Sequence, residues 1–134
     1  MPRKIKPFSI EFFFRTLADP TRLRILNLLS DREICVCYFV QILKISQPKI
    51  SRHLAYLRRQ GLVATRREGK WMHYRLVVPP DKVGAAILLE TLNILRRRRD
   101  LANDVAKLGS ACCRPEIFQL PQEAPQPSLA PASR

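Results

Sequence analysis

The chain has 134 residues, 46% of them hydrophobic, and carries 24 Lys and Arg against 11 Asp and Glu, a formal charge of +13. That length accommodates one compact domain and a tail rather than two ordinary domains, and the charge points to a polyanion as the large partner. No apolar run approaches the roughly 18 residues of a membrane span. The first such run, Phe8 to Phe14, is short and interrupted by Glu11, with Arg15 following, so neither a signal peptide nor an anchor is expected and the chain is read as cytoplasmic. Thiols are reduced in that compartment. The close pairs Cys35/Cys37 and Cys112/Cys113 therefore suit metal binding or redox sensing better than stapling of the fold.

Residues 1–7, MPRKIKP, read as a basic arm, residues 8–108 as the folded domain, and residues 109–134 as a flexible tail carrying the second Cys pair. From Ile10 to Leu17 the apolar spacing is helical, with Ile10, Phe13, Phe14 and Leu17 on one face and Phe12 off it, facing a partner. Asp19-Pro20 is an N-cap followed by a first helical position, and the helix it opens turns Leu23, Leu26 and either Ile25 or Leu29 inward. Asp31 and Arg32 form a turn. A short third helix begins between Cys35 and Tyr38 and ends at Leu43, and Lys44-Ile45 connects it tightly to the next.

The stretch from Ser46 to Leu62, SQPKISRHLAYLRRQGL, organises the rest. Ser46 caps it, Pro48 sits in its first turn and Gly61 ends it, while Ile50, Leu54 and Leu57 fall on one buried face. Its other positions include Gln47, Lys49, Ser51, Arg52 and His53, with no acid among them. Such a surface fits a DNA major groove better than a merely solvated face. Two short helices joined by a tight connection, the second one basic, make a helix-turn-helix.

After Gly61, LVATRREGKWMHYRLVV alternates with period two around Glu68-Gly69 and reads as a hairpin. Arg66, Arg67 and Lys70 at its tip are placed to lie along phosphates, and Trp71 and Tyr74 to pack. Asp81 caps a last helix expected over 82–108, whose apolar residues exceed what one small domain can bury, so it is read as a dimerisation helix. The run Arg96 to Arg99 is a solvated face. The Pro, Gln, Ala and Ser content of 114–134 points to disorder. The expected fold is mainly α with a small β-hairpin, a winged helix-turn-helix. No Gly-rich phosphate loop, H-E-x-x-H or paired-carboxylate pocket is present, so the chain is not read as an enzyme.

The segments LADPTRLRILNLL, ICVC, SQPKISRHLAYLRRQGLV and REGKWMHYRL, in that order and spacing, resemble the ArsR/SmtB family of winged-helix repressors over about residues 8–108. The resemblance implies a homodimer joined through its first and last helices, with the helix from Ser46 in the major groove of an inverted-repeat operator on double-stranded DNA. It also implies release of that operator when a ligand binds. ICVC resembles the ELCVCDL box of arsenic, antimony, cadmium and lead sensors, whose thiolates bind the effector. Here Tyr38 replaces the Asp of that box, and Val40 stands where some arsenic sensors have a third Cys.

Thiolates suit soft, thiophilic ions, whereas the last helix holds no His and so lacks the family's zinc site there. His53 belongs to the DNA face and His73 to a strand. Cys35 and Cys37 would lie about 200° apart if both were helical, so chelation is expected to unwind the first turn of the third helix and misplace the DNA-reading helix. Cys112 and Cys113 can join that site, form their own, or bind nothing. The expected effector is trivalent arsenic or antimony, or a methylated arsenical needing only two sulfurs, with no constitutive cofactor. The rival readings are a cadmium or lead sensor, a thiol-redox repressor, and a DNA-binding protein with no ligand response.

Overall fold

The structure is a computed structural model that describes residues 8–113, 118, 120–121 and 124–129; of Cys112 and Cys113 it describes the backbone. The basic arm 1–7 and most of the segment 114–134 lie outside the described residues.

The chain folds as α1 (Ile10–Leu17), α2 (Pro20–Leu29), β1 (Arg32–Cys35), α3 (Val36–Leu43), α4 (Gln47–Arg59), β2 (Val63–Glu68), β3 (Trp71–Leu76), α5 (Lys82–Arg97), α6 (Arg99–Cys113) and β4 (Ser128–Leu129). The strands form one sheet in the order β2-β3-β1-β4, and each adjacent pair is antiparallel. The helix-turn-helix and the hairpin stand where the residue pattern places them.

Local chemistry sets most boundaries. Asp19 accepts from the Arg22 amide at 3.0 Å and Asp81 from the Gly84 amide at 2.9 Å, so each caps the helix that follows. Ser46 occupies the cap position of α4 without a side-chain capping bond. Gly61 ends α4 at φ 78, where Gly61 N–H donates to the Arg58 carbonyl and Leu62 N–H to that of Leu57, the paired bonds of a Schellman motif. Lys44 joins α3 to α4 in the left-handed region at φ 56.

Four local expectations change. Asp31-Arg32 leads not into a loop but into β1, whose residues pair with Tyr74, His73 and Arg75 of β3. A four-residue strand is too short for its alternation to stand out from the helical pattern on either side. On α1, Phe13, Thr16 and Leu17 are buried, while Ile10, Phe12 and Phe14 are all exposed, so the outward apolar face is wider than Phe12 alone. On α2 the whole run Ile25–Leu29 is buried, because both faces of the helix are covered. The expected last helix is two helices, broken at Arg98, whose backbone is extended. The break lets α6 fold back on α2. There Arg24 grips Asp104 through two bonds of 2.9 Å, and Asn27 donates to the Leu101 carbonyl at 3.1 Å. Leu101, Leu108 and Ala111 are thereby buried within the protomer, and α6 continues to Cys113.

The core gathers around the α4 underside: Ile50, Leu54 and Leu57 are fully buried with Ile25, Leu26, Leu28, Leu29, Ile34, Phe39 and Leu62. Burying side chains of this size stabilises by about 1.5–3 kcal/mol each, which clamps the helix whose outer face is basic.

Candidate thiol site and nucleic-acid interface

The outer face of α4 is exposed at Ser46, Gln47, Lys49, Ser51 and Arg52, and again at Arg58 and Arg59 near its end. These side chains project from a helix held only by its apolar underside, the arrangement required of a helix that enters a groove. His53 is only partly exposed and turns back toward α2. Its Nδ1 lies 3.4 Å from Arg22 Nη1 and 3.9 Å from Asp19 Oδ1, and burial lowers its pKa against the opposing pull of Asp19. Arg22 also donates to the Thr16 and Arg15 carbonyls and stacks 4.3 Å above the Tyr56 ring, which ties the α1–α2 corner to α4.

On the hairpin, Gly69 turns at φ 59 and leaves Arg67 and Lys70 on the exposed tip, with the Lys70 ammonium 5.2 Å from the Trp71 ring. Arg66 is placed differently. Its guanidinium reaches across β3 to Glu33 of β1, donating to Oε1 at 2.6 and 3.0 Å, and lies 3.4 Å from Glu68. Trp71 and Tyr74 pack against the core edge.

Cys35 is the last residue of β1 and the N-cap of α3, with extended backbone at φ -76 and ψ 148; Cys37 follows in the first turn. The two sulfurs therefore do not sit on opposite sides of one helix, as a wholly helical segment would place them. Extended backbone at the cap turns the Cys35 sulfur toward Cys37, and the two side chains are hydrogen-bonded. That bond, strongest among the causes, holds the Cys35 thiol down to about 6 despite burial. The amides of Val36 and Cys37 and the His73 ring add to the effect. Cys37 is driven up by the same bond and by burial, so the pair keeps one proton on Cys37 and presents a thiolate at Cys35.

Cys35 is buried and Cys37 is half-buried, so access runs over Cys37. Among the described residues no group of three His, Cys, Asp or Glu side chains is arranged to hold a metal ion. The structure brings together two sulfurs; the side chains of Cys112 and Cys113, at the end of α6, lie outside the described residues.

His73 is the neighbour that its place on a strand concealed. It is the register partner of Cys35, it is buried, and it faces Arg66 on its other side. Its Nε2 lies 3.4 Å from Glu68 Oε1 without hydrogen-bonding geometry. Reading Arg32–Cys35 as a strand exposes this relation, since Glu33 and Cys35 then share a face.

Residues 19–65 match the family described as "Bacterial regulatory protein, arsR family". The chain is 59% identical over 64 residues to the arsenical resistance operon repressor of Escherichia coli K12, a match covering 47% of this chain and 55% of that protein. It is 37% identical over 108 residues to a probable mercury resistance operon repressor of Streptomyces lividans, covering 81% of this chain and 78% of that one. Among solved structures, reduced HlyU from Vibrio cholerae N16961 superposes with a TM-score of 0.55 at 35% identity, covering 66% of this chain and 88% of HlyU. The chain spans about half the length of the first curated relatives it matches. No described helix is long and apolar enough to cross a membrane. With the winged helix-turn-helix, the basic outer face of α4 and these likenesses together, the chain belongs to the arsR family of bacterial regulatory proteins, which regulate transcription on DNA and are not enzymes.

Proposed function

We propose that this chain is a dimeric repressor that leaves its operator when trivalent arsenic or antimony binds its thiols. The observation that carries the reading is the Cys35–Cys37 dithiol, one sulfur ionised and hydrogen-bonded to the other, at the N-terminus of the helix that packs under α4. The likeness to arsenical resistance repressors supports the ion class.

In the DNA-bound state Gln47, Lys49, Ser51 and Arg52 read base edges or phosphates from the major groove of an inverted repeat. Ser46 and His53 brace the helix start and the α2 contact, and Arg67 and Lys70 lie along the backbone. Arsenous acid exchanges hydroxyl groups for sulfurs with no change of oxidation state. Each protonated thiol that bonds to arsenic releases one water. Two sulfurs come from Cys35 and Cys37, and Cys112 or Cys113 supplies a third where the ion requires it. Pulling the β1–α3 junction toward the ion shifts α3 and, through it, α4. A coupling of about 2–3 kcal/mol weakens operator binding roughly 30- to 150-fold.

The test is an operator titration under reductant, on DNA from upstream of the protein's own gene, with arsenite added to wild type and to Cys35→Ser/Cys37→Ser. Arsenite should release the wild type and leave the double variant bound. If both stay bound the metalloid assignment is wrong; release by peroxide, cadmium or mercuric ion would then identify the redox or soft-metal reading. A wild type that shows no specific binding would remove the repressor reading itself.

A further inference from the structure

The buried face of the sheet holds a charge pair that neither the groove-facing residues nor the thiols account for. Glu33 is 4% exposed, yet it is ionisable, and its partner Arg66 comes from the wing, across the intervening strand. The register places Arg66 opposite His73, and His73 opposite Cys35, in one row across β2, β3 and β1. Glu33 is two residues before Cys35 and on the same face of β1. The strand that ends in the thiol site is thus fastened by a two-bond ion pair to the hairpin that lies along DNA.

We propose that the Glu33–Arg66 pair is the link by which the state of the Cys35–Cys37 dithiol reaches the wing, with Arg66 a positioning residue rather than a phosphate ligand. The proposal rests on the thiol-sensor reading above. A buried carboxylate does not shed its counter-ion cheaply, because the unpaired charge would remain in a low-dielectric site. When an ion draws Cys35 and Cys37 together, the end of β1 moves. Glu33 then either drags Arg66 and the hairpin with it or lets go of them. In both cases the wing leaves the position it holds when the thiols are free. His73 fills the space between the two, with Nε2 unsatisfied, so the row has no competing hydrogen bond at its centre to hold it in place.

Trp71, the single tryptophan of the chain, sits on the wing opposite Glu68 and reports on it without DNA. Phenylarsine oxide is the probe, since it closes two thiols at once: two As–S bonds form, the oxygen leaves as water and nothing is oxidised. Peptide mass mapping locates the adduct in wild type, Glu33→Gln and Arg66→Gln. In wild type, loading Cys35/Cys37 should change Trp71 emission and weaken operator binding about 30-fold. In Glu33→Gln the adduct should still form while emission stays constant and the weakening falls to about threefold or less. Arg66→Gln, altered at a half-exposed position that does not threaten the fold, should lose the emission response in the same way, and Arg66→Lys should recover it.

The link is wrong if loaded wild type shows no emission change, if the reagent cannot load Cys35/Cys37, or if Glu33→Gln keeps the full response. Should phenylarsine oxide release the operator where arsenite does not, the metalloid assignment alone fails and the link stands on the Glu33→Gln result.

Discussion

Cys35 and Cys37 hold one proton between them at neutral pH, and that proton sets how arsenite binding depends on pH. Below about 6 both thiols are protonated, and forming two As–S bonds releases two waters with no net proton change. Above that value Cys35 is already a thiolate, so the second water must take its proton from solution. One proton is then taken up per ion bound, and arsenite affinity should fall about tenfold per pH unit between roughly pH 6.5 and 8. Calorimetric titrations in buffers of different ionisation enthalpy measure the uptake directly. An affinity flat across that range would mean that Cys35 keeps an ordinary thiol pKa. The depressed value has a local origin in the Cys37 bond, the amides at the start of α3 and His73 across the ladder, so it belongs to the cap geometry rather than to the C-x-C spacing itself.

At the scale of elements, α6 is held against α2 by polar contacts that the residue pattern does not announce. Asp104 is buried and accepts both bonds of the Arg24 guanidinium, which is about one-third exposed and so partly screened. Asp104→Ala leaves that guanidinium without its partner and should cost about 2 kcal/mol, seen as a lower urea midpoint with the helix content of the folded state retained. A midpoint equal to wild type would show that Leu101, Leu108 and Ala111 hold α6 by packing alone. The break at Arg98 has the same logic. A straight helix over 82–113 would carry Leu101 and Leu108 away from the core, while a fold at Arg98 buries both.

At the scale of the whole molecule, the protomer leaves Phe12 and Phe14 of α1 and Val83, Leu89 and Ile94 of α5 exposed. Most of the apolar residues that made the expected last helix look unsatisfiable are buried within the protomer. The case for a dimer therefore rests on these outward residues, on the winged-helix family's use of paired half-sites, and on the close seat of Phe8 over Gly84 that aligns α1 with α5. Replacing Leu89 and Ile94 together by Glu should give a monomer in sedimentation and weaken operator binding at least about 100-fold, because the second half-site is no longer held at high local concentration. A double variant that still sediments as a dimer would move the interface elsewhere on the surface.

Much of this was legible in the residues. Asp19-Pro20, Gly61, Gly69 and Asp81 act within a few positions of themselves, and the i, i+4, i+7 set of Ile50, Leu54 and Leu57 needs only a helix and a core to find its place. The absence of acids along Ser46–Gln60 and the C-x-C before a short helix are likewise properties of the chain, and they determined that this is a DNA-facing winged helix with a dithiol. Tertiary structure decided the rest. That Cys35 caps α3 from the end of a strand depends on β3 lying beside it. That His73 borders Cys35, Arg66 turns inward to Glu33, and α6 folds back onto α2 depends on groups 33 to 80 positions apart. Hydrophobic period and capping are local and repeat along a sequence. A charge pair or a ladder partner is a single long-range contact whose energy appears only once the sheet and the helices have assembled.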